Sequence, residues 1–128
     1  MKSSLGPPTK AERERIEKMR PLGCVACAHA GWLNQHSLEL HHLLESGRRI
    51  SHAHSIFLCP GHHRGIWDSV TIRALSSRYR VAISDGSKAF SRIFGSDRSL
   101  WERVQVTVND PTLWPSSKVV PRRVGGGY

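Results

Sequence analysis

GCVACAHAGWLNQHSLELHHLLESGRRISHAHSIFLCPGHHR, residues 23–64, holds all three cysteines and all eight histidines of the 128-residue chain. It opens on Cys24 and Cys27 in Cys-x-x-Cys spacing and closes on Cys59-Pro60-Gly61-His62-His63, with His41-His42, His52 and His54 between them. Two short segments that each offer ligands at i and i+3 suit a tetrahedral Zn²⁺, so Cys24, Cys27, Cys59 and His62 read as a structural metal site. Buried thiols or a disulfide are the plainer alternative. Three cysteines cannot all pair, however, and no signal-peptide pattern is present, so a reducing, cytoplasmic setting is expected.

The other histidines exceed what packing requires, because a buried imidazole must find partners for two ring nitrogens. In Ser37-Leu38-Glu39-Leu40-His41-His42-Leu43-Leu44 the alternation suggests a strand. Such a strand sends His41 and His42 to opposite faces, or to one site if a turn intervenes. His63 follows His62 directly. One imidazole from each segment can hold a second metal and leave a third free as a base.

Cys-x-x-Cys, His-His, then Cys-x-x-His-His resembles the zinc-containing branch of the HNH, or His-Me finger, endonucleases. The longer strings His41-His42-Leu-Leu-Glu-Ser-Gly-Arg-Arg-Ile-Ser-His52 and Ser55-Ile-Phe-Leu-Cys-Pro-Gly-His-His-Arg-Gly65 resemble, more narrowly, the phage recombination-enhancement (Ref) nucleases, whose DNA cutting depends on RecA. The resemblance extends weakly to Thr9-Lys-Ala-Glu12 and Leu22-Gly-Cys-Val-Ala-Cys27, and downstream to Ala89-Phe90 and Phe94-Gly95. It implies an α+β fold, a small zinc-stapled ββα-metal core with flanking helices. Residues 9–108 are the expected nuclease domain, between a flexible lead at 1–8 and a Pro/Gly-rich basic tail at 109–128.

Composition agrees with a polyanionic partner. Nineteen lysines and arginines against ten acidic residues give a net charge of +9 and a pI near 10.3, which favours a polyanion such as nucleic acid over a basic solvated surface with no partner. No apolar run approaches the ~20 residues needed to cross a bilayer. The chain is short enough for one core, and a metal staple helps a core of that size.

Along the chain, Thr9 and Glu12 have capping-box spacing ahead of a helix that runs to Arg20 and stops at Pro21, with Ile16 and Met19 as its apolar edge. His29 and His36 fall outside the metal-like spacings and read as surface residues; Trp32 can pack under the knuckle or stack on a base, packing being the commoner fate of a lone Trp beside a metal site. Leu38–Leu43 and Ser55–Leu58 predict a hairpin joined by an irregular Glu45–His54 connection. A helix is expected from about His62 to Val70, bringing His41, His42 and His63 together. Ile72, Leu75 and Tyr79 predict a helix over 71–79; Phe90, Ile93 and Phe94 predict one over 87–94, after an Asp85-Gly86 turn. Ser96 or Asp97 caps a third carrying Leu100, Trp101 and Val104, with Val104, Val106 and Val108 allowing a strand instead. The tail reads as an extended arm held through Trp114, its Lys118, Arg122 and Arg123 available to DNA backbone.

Phosphodiester hydrolysis needs a deprotonated water and neutralised phosphate charge, which a divalent ion supplies as a Lewis acid. The resemblance makes His41 and His63 ligands of that ion, His42 the general base and His52 its support, with His54, five residues before Cys59, competing for that last role. It implies Mg²⁺ or Mn²⁺ as the working ion, although imidazoles equally suit Zn²⁺. Arg48, Arg49 and Arg64 lie close enough in sequence to clamp phosphate oxygens. The alternative from another class is a non-catalytic zinc-ribbon DNA-binding or recombination-accessory module using only the Cys24, Cys27, Cys59 and His62 set.

Overall fold

The computed structural model describes residues 5–110, 112, 114 and 118–120. Helix α1 (Lys10–Met19) begins where the capping box places it: Thr9 Oγ1 accepts from the Glu12 amide at 3.1 Å and Glu12 Oε1 accepts from the Thr9 amide at 2.8 Å. Met19 is fully buried and Ile16 packs beside it. A 3-10 turn at Arg20–Leu22 carries Pro21, after which Gly23 turns the chain with φ of 74°. A side chain there would place Cβ 2.4 Å from the Asn34 carbonyl oxygen, so this approach requires glycine. The knuckle is not a bare loop, because Cys24 caps a short helix, α2 (Val25–His29), that leads into β1 (Trp32–Leu33).

Strand β2 (Glu39–His42) pairs antiparallel with the later Ser55–Leu58, with Leu40 opposite Phe57 and His41 opposite Ile56. The connection expected to be irregular is itself a small hairpin, β3 (Leu44–Glu45) with β4 (Arg48–Arg49). Ser46 and Gly47 adopt φ of 53° and 77°, the doubly left-handed pattern of the tight two-residue turn that matches strand twist. Strand β5 (Ser55–Leu58), buried along its length, runs through Cys59 into α3 (Pro60–Arg64). Pro60 fits the first helical position, where no amide donor is needed.

The helix expected from His62 to Val70 is shorter and starts earlier. Gly65, with φ of 76°, closes α3 after its single short run, and Asp68 caps a separate α4 (Ser69–Ala74) by accepting from the Thr71 amide at 2.7 Å. The 71–79 helix likewise stops at Ala74, and Ser77–Tyr79 forms a 3-10 turn. Helix α5 (Ser87–Phe94) has the expected limits. Ser96 caps α6 (Asp97–Thr107), which remains helical past Val106, so the valine alternation does not become a strand. Val104 is fully buried while Val106 is 60% exposed, a helical rather than a two-sided pattern.

Beyond α6, Trp114 Nε1 donates to the Leu22 carbonyl at 2.9 Å, and β6 (Lys118–Val119) pairs in parallel with β1. The tail is therefore stitched to the knuckle, and His36, expected on the surface, is partly buried and contacts the Val120 carbonyl through Nε2 at 3.1 Å. Trp32 packs against the core, whereas Arg122 and Arg123 lie outside the described residues. One core unites Met19, Leu22, Val25, Ile56, Leu58, Phe90, Phe94, Leu100 and Val104 with the three cysteines. Arg15 ties its rim together, donating to Gln105 Oε1 on α6 and, at 3.1 Å, to the Ser55 carbonyl on β5. No helix among the described residues is long and apolar enough to cross a membrane.

Candidate metal centre and histidine site

Helix α2 and the start of α3 deliver Cys24, Cys27, Cys59 and His62, all buried, with ligand atoms within 4.8 Å of one another. The Cys27 and Cys59 sulfurs are 3.9 Å apart, and His62 Nδ1 stands 3.5, 3.5 and 3.3 Å from the sulfurs of Cys24, Cys27 and Cys59. A tetrahedron with Zn–S and Zn–N bonds of ordinary length has S···S edges of about 3.8 Å and S···N edges of about 3.6 Å. The set therefore fits a metal such as zinc. His62 Nε2 donates to the Tyr79 carbonyl at 2.8 Å, which fixes its hydrogen there and leaves the Nδ1 lone pair aimed at the sulfurs. Asn34 Nδ2 donates to the Cys27 sulfur at 3.5 Å and the Cys27 amide donates to the Cys24 sulfur at 3.4 Å, partners that suit thiolates. Burial pushes the Cys24 thiol well up, so the thiolate form needs a cation close by.

The pleat of β2 separates the other histidines. Glu39 and His41 face one way, towards α3, where the His41 and His63 rings meet edge to face with centroids 5.4 Å apart. Each of these imidazoles is held by a carboxylate. His63 Nδ1 donates to Glu39 Oε1 at 2.8 Å, and His41 Nε2 donates to Asp97 Oδ2 at 3.0 Å. Glu39 is also gripped by Arg64, whose Nε lies 2.9 Å from Oε1. That Arg64 contact, ahead of the one from His63, holds the Glu39 carboxyl below the usual carboxylate range, and the His41 contact does the same for Asp97.

His42 points the other way. The expected meeting of His41, His42 and His63 is thus divided in two, since adjacent strand residues cannot share a face. His42 Nε2 lies 2.9 Å from His52 Nδ1, and His52 Nε2 lies 2.8 Å from the Gly6 carbonyl oxygen. A carbonyl can only accept, so a neutral His52 carries its hydrogen on Nε2 and accepts at Nδ1. His42 must then donate from Nε2, which leaves its own lone pair on Nδ1. Burial first, then the charges of Arg49, His52 and His41, push the His42 pKa from 6.5 to about 4, so the ring is neutral near pH 7.

That shift has a consequence for folding. Between about 4 and 6.5 the unfolded chain binds the His42 proton more readily than the folded one, so the stability this ring contributes is complete above the window and is lost as pH falls through it. The parent protein should lose more melting temperature than His42→Ala between pH 7 and pH 4.5. Equal losses in the two proteins, measured by circular dichroism, would show that His42 does not carry the effect.

His54, the competitor of His52, is stacked on Trp101 with centroids 4.8 Å apart and bonded to Ser51 at 2.8 Å. His29 is exposed at the end of α2, its ring edge against Phe94. Arg48 and Arg49 are exposed on β4. Glu39 and Asp97 are the two site carboxylates that the motif did not supply. Glu39 had a signal, because it lies two positions before His41 on a strand and so shares its face. Asp97 had none beyond its position as a cap candidate, since it comes from an element 56 residues away in sequence.

A buried cluster of three cysteines and one histidine that could hold a metal lies in a small α+β domain, beside paired imidazoles and carboxylates. Residues 8–108 match the family described as recombination enhancement, RecA-dependent nuclease, and the chain belongs to that family. Its family is one of nucleases, and so of enzymes. No curated protein matches the chain.

Proposed function

We propose that the chain is an HNH-type, metal-dependent DNA endonuclease, whose nuclease domain spans residues 9–108 and whose β2, β5 and α3 form the ββα-metal core. The observation that carries this reading is the placing of His41 against His63, each backed by a carboxylate, beside a neutral His42 oriented by His52. Cys24, Cys27, Cys59 and His62 hold a structural Zn²⁺ that fixes the two ends of this unit.

His41 and His63 hold a working divalent ion, Mg²⁺ or Mn²⁺, which when bound supplies Lewis-acid neutralisation of phosphate charge. His63 offers Nε2, because Glu39 occupies its Nδ1. His42 removes a proton from water at Nδ1, the nitrogen its bond to His52 leaves unprotonated. His52, steadied by the Gly6 carbonyl, keeps that tautomer and ring orientation. A pKa near 4 makes the ring a weak base in the free protein; an incoming phosphate anion raises it towards the working range. Arg48 and Arg49 on the exposed β4 turn contact phosphate oxygens. Arg64 serves instead to hold Glu39, its side chain being engaged there.

DNA is the substrate, and a RecA filament on that DNA is the partner the family description supports. Binding should rest on the +9 charge, so log affinity should fall linearly with log salt, by about 0.7 to 0.9 per phosphate neutralised. Filter binding across a salt series checks the slope. Cleavage of single-stranded and duplex DNA, with Mg²⁺ or Mn²⁺ and with or without RecA, tests the activity. Tight, salt-sensitive binding with no cutting under any of these conditions would replace the nuclease with the binding module.

A further inference from the structure

We propose that the cavity between α2, the Ser77–Tyr79 turn and α5 is an anion site that holds a backbone phosphate of the DNA, a second contact sharing no residue with the paired histidines. The inference rests on the reading of DNA as the substrate and adds a place of binding that the histidine motif does not contain.

Three elements converge there. His29 ends α2, Arg78 and Tyr79 belong to the 3-10 turn, and Arg92 and Ile93 lie in the last turn of α5. Together they line a cavity of about 270 Å³ that holds two guanidiniums, one imidazole and no carboxylate. Among the described residues no Asp or Glu lies within ion-pair distance of Arg78 or Arg92, whereas Arg20 has Glu17 and Arg64 has Glu39. Two unpaired guanidiniums at one cavity repel each other, and an anion between them removes that cost. His29, Arg78 and Arg92 are all exposed, so the cavity is open to a strand passing over the surface.

The lining suits a phosphate better than a base. The Arg78 guanidinium lies over the Tyr79 ring, 4.6 Å from its centroid, and donates to the Tyr79 hydroxyl. An arginine on that face of Tyr79 takes the place where a base would stack. What the cavity presents instead is guanidinium N–H, whose fork matches phosphate oxygens. Its floor is fixed: the Tyr79 carbonyl accepts from His62 Nε2 at 2.8 Å, and the His29 ring meets Phe94 edge on at 5.6 Å between centroids. A floor already tied to the cysteine cluster and the core leaves less to be ordered when the anion binds.

The test is fluorescence anisotropy of labelled single-stranded and duplex DNA with the zinc-loaded full chain, over a salt series and without added Mg²⁺ or Mn²⁺. Arg78→Gln with Arg92→Gln is compared with a control of equal charge loss outside the cavity, Lys10→Gln with Arg73→Gln, both exposed. Relative to that control, the cavity pair should bind about tenfold more weakly and lose about 0.7 to 0.9 from the slope of log affinity against log salt, the share of one phosphate. Arg78→Lys with Arg92→Lys should restore the slope and only part of the affinity, since an ammonium keeps the charge without the fork. Arg92→Gln alone, on an exposed side chain whose loss leaves the fold as it is, should show part of the same loss. Equal behaviour of the cavity pair and the control would show that net charge alone matters and would overturn the proposal. Unchanged binding to bare DNA with weakened binding to RecA-coated DNA would assign the cavity to an acidic protein surface and overturn it as well. Failure of the parent to bind DNA at all would instead overturn the underlying reading of the substrate, and this proposal with it.

Discussion

Cys27→Ser, or chelation of the buried metal, should unfold the protein. The cysteines and His62 are not an appendage to the core; Cys24, Cys27 and Cys59 are members of it, packed with Val25, Leu58, Phe90 and Phe94. His62 meets the Phe94 and Trp67 rings edge on, each at 5.0 Å between centroids. Gly61 beside it leaves no room for repacking, because a Cβ there would lie 2.2 Å from the Trp67 ring. Structural zinc in such small sites contributes ~10 kcal/mol or more. The whole stability of a domain this size is typically about 5–15 kcal/mol, so loss of the metal removes most or all of it. Far-UV circular dichroism and thermal melts on parent, Cys27→Ser and chelator-treated protein check this. An unchanged melting temperature after verified zinc removal would show that the apolar core suffices alone.

His42→Ala should reduce DNA cleavage by ~10²–10⁴-fold, the usual contribution of a general base, while DNA binding and the fold persist. The ring is only partly buried, and its hydrogen bond goes to another histidine rather than into the core, so its loss opens no large cavity. His52→Ala should cost less, since it removes the group that orients the base and not the base itself. Single-turnover cleavage rates at saturating DNA separate these effects from binding. Cutting by His42→Ala at the parent rate would place the base elsewhere.

The clustering of Cys24, Cys27, Cys59 and His62 was legible from spacing alone, because a two-plus-two pattern with i, i+3 intervals states its own geometry. So were the β2 and β5 pair and helices α1 and α5, where local signals agree: a capping box at Thr9 and Glu12, alternation through His42, and apolar residues at helical spacing through Phe94. What remained hidden depended on contacts between distant segments. β6 is two residues long and has no pattern of its own; it exists because the tail crosses Gly31 and Leu33 of the knuckle, where Lys118 donates to the Gly31 carbonyl at 3.1 Å. The division of the His41-His42 pair was open in the sequence and is decided by the pleat of an unbroken strand. Asp97 could be read as a helix start but not as a partner of His41, and Gly6, in a lead expected to be loose, supplies the carbonyl that fixes His52.

One ion for the fold and another for the reaction is tested most directly by selective metal removal. Dialysis against a weak chelator, verified by metal analysis to leave one zinc per chain, should yield protein that is folded, binds DNA and does not cut, with Mn²⁺ or Mg²⁺ restoring cleavage of RecA-coated DNA. Full-rate cutting by the stripped, zinc-only protein would contradict it, as would a protein that binds DNA but never cuts after either ion is returned.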